Sequence, residues 1–246
     1  MFGGYDIYDI YLFYGMISKK GYKIEQLKAY PITYGLIIIN TIIFLVPFFF
    51  DISPEDLFEV GAIYGPDIVL HKQIWRLFTA MFLHGGIEHI AMNMLSLWFI
   101  GRVAEVWLGG VSYIGIYFIS GLMGGLASIY MHPVTVGVGA SGAIFGVFGA
   151  LAGMVMVHRK KMEAQFKAFM KEFGVILLLN LGIGIAFESV DLTAHIAGLV
   201  MGIFGGAMVA KSRKLIWLYI LISFMIMIPF YNHLYTLYVS ILNAQF

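Results

Sequence analysis

Apolar runs, uncharged but for Glu88 and Glu188, recur along this chain at about residues 31–50, 79–100, 111–131, 138–157, 173–190, 193–210 and 215–241. Each is near the roughly 20 residues that a helix needs to cross the hydrocarbon core of a bilayer. The pattern predicts an all-α polytopic membrane protein with seven spans. The intervening segments are polar. Asp51 to Arg76 forms a long charged first loop, and "GRVAEVWLGG" from Gly101 a short connection. "MHPVTVG" from Met131 reads as a Pro/Gly turn, and "HRKKMEAQFKAFMKE" from His158 as a basic amphipathic connection. "ESVD" and "KSRK" are tight turns before the sixth and seventh runs. Ahead of Pro31, "YDIYDIYLFYGMI" is too short and too charged to span and predicts an interfacial helix. The expected organisation is an N-terminal cytoplasmic or interfacial segment over 1–30, a six-span core over 31–210 and an additional C-terminal helix over 211–246.

Composition narrows the function. Of 246 residues, 61% are hydrophobic and 12% charged, where a soluble domain carries about a quarter charged. Lipid is therefore the main solvent, and a net charge of +1 gives no sign of a nucleic-acid partner. The absence of cysteine excludes disulfides, thiolate metal sites and thiol catalysis. The first 30 residues lack the arrangement of a cleavable signal peptide. With seven alternating spans, thirteen basic residues fall on one side, among them Lys19, Arg102, Arg159 and Lys211. Only Lys72 and Arg76 fall on the other. Positive residues collect in the cytoplasm, so the amino terminus is expected inside and the carboxyl terminus outside a cell membrane.

Polar side chains within spans are costly and mark function. In "FLHGGIEHIAMNMLSLW", His89, Asn93 and Ser96 share one helical stripe, with His84 just above it. The fourth span opens "GVGASGAIFGVFGALAG", placing Ser141 about one turn into a helix, and the sixth opens "DLTAHIAGLVMG" with His195 near its start. These three spans all enter from the outside. The four groups therefore share a depth on the order of 5–10 Å below the outer interface. A serine hydroxyl needs a base to become a nucleophile, which His195 supplies. The oxyanion that hydrolysis builds needs donors: amides at the helix start beside Ser141, and side-chain N–H groups of His89 and Asn93. No carboxylate lies inside the fourth or sixth span to orient the imidazole, so a dyad is expected. Gly142, Gly146, Gly149 and Gly153, facing Gly198 and Gly202, let the two helices approach closely.

These strings resemble the rhomboid family of intramembrane serine proteases. The resemblance rests on Trp75–Arg76, on His84, His89 and Asn93 of "HGGIEHIAMN", and on Gly101, Glu105 and Gly109. It also rests on "GASG", which runs from Gly139 through Ser141, and on "AHIAGLVMG", which contains His195, Gly198 and Gly202. It covers about residues 31–210. It implies a six-helix core with Ser141 as nucleophile and His195 as base and acid. It further implies an oxyanion hole of His89, Asn93 and the Ser141 amide, and transmembrane-protein substrates that enter past the fifth span. Where the family often has Tyr four residues after the serine, this chain has Phe145, which keeps an aromatic face for the histidine. The seventh span occurs in only some members.

Other readings attach to the same residues. Trp75 and Arg76 read as anchors of the first loop in the interface, and Glu105 as a structural hydrogen-bonding residue at a cytoplasmic helix end. A zinc site fails on spacing: His84 and His89 are five apart, roughly 140° around a helix, and "HGGIEH" has the wrong order. No metal or cofactor is expected. Two non-enzymatic alternatives are a catalytically silent rhomboid-like module that holds membrane proteins and a small-solute transporter. An intact Ser/His pair opposes the first. The lack of a midplane charged pair and of evident inverted repeats opposes the second.

Overall fold

The computed structural model describes residues 30–50, 52–160 and 190–243, with residues 167, 171, 173–175 and 178 between them. The expected interfacial helix before Pro31, the basic connection after Lys160 and most of the fifth run fall outside the described residues. What is described is an all-α polytopic protein, and five of its helices are long and apolar enough to cross a membrane.

Helix α1 (Pro31–Phe49) turns only Thr33, Leu36 and Asn40 inward, a stripe at spacings of three and four, and leaves Ile38, Ile39 and Ile42 outward. The first loop is folded: it contains α2 (Pro54–Gly61), α3 (Gly65–Val69) and α4 (Arg76–Thr79). Arg76, expected in the interface, is instead buried in this loop. Its guanidinium donates to the carbonyls of Glu59 and Ala62, the latter at 3.1 Å, and to Gln73 at 2.6 Å, and pairs with Asp67 at 2.9 Å. Glu59 and Ala62 close the C-terminal turn of α2, where free carbonyls favour a cation. Trp75 is 53% exposed, as an interfacial anchor would be.

The second apolar run is displaced from its expected bounds. Residues 80–83 are buried, but 80–82 form a short turn of 3₁₀ helix (Ala80–Phe82) under the first loop. The long helix of this run begins only with α5 (Ile87–Ser96), passes through a π turn (Leu97–Gly101) and continues as α6 (Arg102–Leu108). "GRVAEVWL" is thus helix, not connection, because the protein itself satisfies its charges. Arg102 Nε donates to the Trp98 carbonyl at 2.6 Å, and the guanidinium lies 3.7 Å over the Trp98 ring. Glu105 accepts from the Ile32 amide at 2.9 Å and from the Thr33 amide and hydroxyl at 2.8 and 2.7 Å. It caps the first turn of α1 from 72 residues away. Gly109, at φ +76°, turns the chain into α7 (Gly110–Met131).

The segment after α7 is extended and paired with the first loop: Ile63 and Gly137 exchange two backbone hydrogen bonds at 2.8 and 2.9 Å. It leads to α8 (Ser141–His158), and α9 (Leu192–Lys211) and α10 (Leu215–Asn243) complete the described chain. α8 is the centre of the fold, with α7 and α9 packed on it. Glycine permits this. A methyl group built on Gly198 would strike the Gly142 carbonyl, on Gly202 that of Gly146, and on Gly206 that of Ala150. Backbone meets backbone along the whole α8–α9 seam.

Candidate active site

Four segments converge at the end of this seam where α8 and α9 begin. Ser141 is the first residue of α8, not one turn inside it, because Gly139 at φ +123° ends the extended segment only two residues earlier. That φ favours glycine. The Gly139 amide is tied to the Ala80 carbonyl at 2.9 Å. The first α8 amide with a helical partner is that of Ile144, bonded to the Ala140 carbonyl at 3.0 Å. The amides of Ser141, Gly142 and Ala143 precede it, and no side chain caps this end. An anion here would meet preorganised donors.

His89 and Asn93 lie against that turn. A Cβ added to Gly139 would sit 2.7 Å from His89 Nε2 and 3.8 Å from Asn93 Nδ2. Asn93 is buried, and its Nδ2 donates to the His89 carbonyl at 3.1 Å. The Gly85 amide donates to His89 Nδ1 at 3.4 Å. A neutral ring whose Nδ1 accepts carries its proton on Nε2, and that nitrogen faces Gly139. His84, also buried, meets the His89 ring edge-on with centroids 5.1 Å apart. The "HGG" string thus buttresses His89 twice, once by ring contact and once by an amide.

His195 stands in the first turn of α9, buried, and its ring stacks on Phe145 with centroids 4.3 Å apart and planes 11° off parallel. Phe145 is four residues after Ser141, on the same helical stripe, so the imidazole lies along the Ser141 face of α8. The backbones agree: the Ala194 carbonyl lies 3.4 Å from a Cβ position on Gly142 and 3.0 Å from one on Gly124 of α7. Asp191 caps α9 by accepting from the Ala194 amide at 2.9 Å. Asp191 and Gly124 of α7 were not among the expected site residues. The first was legible as an N-cap residue ahead of an apolar run. The second was hidden among many glycines.

A serine, two histidines, an asparagine and free helix amides are the kinds of group that acyl transfer requires. Trp75, Arg76 and Glu105 lie outside this cluster. Comparison with known proteins bears on it. The family model described as "Rhomboid domain" matches residues 71–212, more than half of the chain. "Rhomboid protease GluP" of Bacillus subtilis is 36% identical over 159 residues, covering 63% of this chain and 30% of that protein. "RHOMBOID-like protein 1" of Arabidopsis thaliana is 39% identical over 155 residues, 63% of this chain and 39% of that protein. "RHOMBOID-like protein 6, mitochondrial", also from Arabidopsis thaliana, is 33% identical over 165 residues, 67% and 53% of the two chains. The chain therefore spans between about a third and a half of the length of these relatives.

Proposed function

The chain belongs to the rhomboid family, and from that membership we propose that it is an intramembrane serine endopeptidase using a Ser141–His195 dyad. The observation that carries this reading is the His195 ring held flat against Phe145, one turn along α8 from Ser141. Ser141 Oγ attacks the scissile carbonyl while His195 takes its proton. The resulting oxyanion is held by His89 Nε2–H, Asn93 Nδ2–H and the Ser141 amide. His195 then gives the proton to the leaving amine as the peptide C–N bond breaks. Water, deprotonated by the same ring, releases the acyl group and restores the serine. Phe145 fixes the plane of the imidazole in place of a third polar residue.

Substrates on this reading are transmembrane proteins that enter sideways past the fifth span and are cut near the outer face of the cell membrane. The basic residues put the amino terminus in the cytoplasm. Residues 31–210 act as the catalytic unit, with 211–246 appended. Ser141→Ala and His195→Ala are each expected to lower cleavage of a model transmembrane substrate on the order of 10³-fold or more while leaving the fold intact. Cleavage at the wild-type rate by either variant defeats the proposal. A fluorophosphonate probe is expected to label Ser141 in the wild type and neither variant. A folded wild type that is neither labelled nor active would be a rhomboid that holds membrane proteins without cutting them.

A further inference from the structure

Helix α10 lies outside the core that carries the chemistry, yet two of its tyrosines reach into the loops around the site. Tyr231 Oη donates to the Ile68 carbonyl in α3 at 3.0 Å. Tyr238, buried at 7% exposure, donates through Oη to the Ile129 carbonyl at 2.8 Å and stands 3.5 Å from the Pro133 carbonyl. Ile129 lies in the last turn of α7, where carbonyls lack helical partners. The Pro133 carbonyl also accepts from the Gly65 amide at 3.1 Å. The junction is closed: a methyl group on Gly65 would strike both Tyr238 Oη and the Pro133 carbonyl.

From this knot the chain runs directly to the nucleophile. Four residues after Pro133, Gly137 is paired with Ile63. Gly139 is then tied to Ala80, and Ser141 opens α8 two residues later. This short tether leads into the α8 amides, and it starts from the end of α7, whose Ile129 carbonyl accepts from the Tyr238 hydroxyl of α10. We infer that Tyr238 is a positioning residue for the reaction: its hydroxyl anchors segment 133–139 and so aligns Ser141 and its amide with His89 and Asn93. The inference rests on the proteolytic reading. Tyr231 bonds only to Ile68 and so reaches the tether at one remove, through α3, which makes it the internal control.

The test uses the full chain in lipid nanodiscs. Tyr238→Phe keeps the ring and removes one hydrogen bond, so kcat should fall about 3- to 10-fold with KM changed less than about twofold. Tyr231→Phe should leave kcat within about twofold of wild type. An unchanged kcat in Tyr238→Phe, or equal losses in both variants, overturns the inference. A second arm needs no activity. In the Ser141→Ala background, Tyr238→Phe should speed amide hydrogen exchange in residues 133–140 at least about threefold, leaving the interior of α8 unchanged. If the wild type fails to cleave, the proteolytic reading falls and this arm still decides the tether. Unchanged exchange there sinks it.

Discussion

Helices α8 and α9 and helices α1 and α10 are built from much the same apolar alphabet but live in different solvents. In their most apolar windows, 78% of α8 and 44% of α9 is buried in protein, against 17% of α1 and 22% of α10. Hydrophobicity does not separate the pairs, because lipid tails welcome an isoleucine as readily as a protein core does. Side-chain size separates them. Along the α8–α9 seam, Gly142, Gly146 and Ala150 receive Gly198, Gly202 and Gly206. The outer helices show Ile39, Ile42, Leu218 and Leu221 to the bilayer. Association in lipid is driven by close packing, so the chemistry sits where backbones touch. Ser141 and His195 occupy the end of that seam where both helices begin.

Three substitutions test how deep this difference runs. Gly202→Leu should have the largest effect, because its side chain would meet the Gly146 carbonyl and cannot be absorbed by a rotamer change. A loss of about 3 kcal/mol or more is expected by thermal unfolding in detergent, together with loss of cleavage. Near-wild-type melting would mean that the seam does not govern the fold. Phe145→Ala should come next. It removes the surface on which His195 stacks, a contact worth about 0.5–1.5 kcal/mol, so kcat at saturating substrate should drop roughly 2- to 10-fold. Phe145→Tyr should restore it. If the alanine variant turns over normally, the ring is held by something other than the stack. Ile42→Ala should have the smallest effect. At 58% exposure it faces lipid, and stability should stay within about 0.5 kcal/mol of wild type. A melting shift as large as that of Gly202→Leu would identify this face of α1 as an interface.

The comparison also explains which parts of the molecule were legible in advance. Spans separated by Pro, Gly and charged turns were visible as periodicity and length. The polar stripe of His89 and Asn93, and the glycine faces of α8 and α9, followed from helical spacing alone. Charged residues misled wherever a distant partner satisfied them. Arg102 and Glu105 look like a loop on paper. They are helix because Trp98 and the first turn of α1 receive them. Arg76 looks like an interfacial cation and is buried, because the end of α2 and Asp67 surround it. The apolar stretch at residues 80–83 looks like the start of a span and is a buried turn beneath the first loop.

The sequence by itself determined that this chain resides in lipid, that its helices pack through small residues, and that a serine and a histidine stand near the starts of two apolar helices. Those properties depend on residue type and on spacing along a single helix, which a linear string records. The tertiary structure alone decided the face that His195 offers to Phe145, the turn at Gly139 that opens α8 at Ser141, and the reach of Glu105 and Tyr238 to helix ends far away in the chain. Each of these depends on a hydrogen bond or ring contact between remote segments. Its energy exists only once the backbone has brought both partners together.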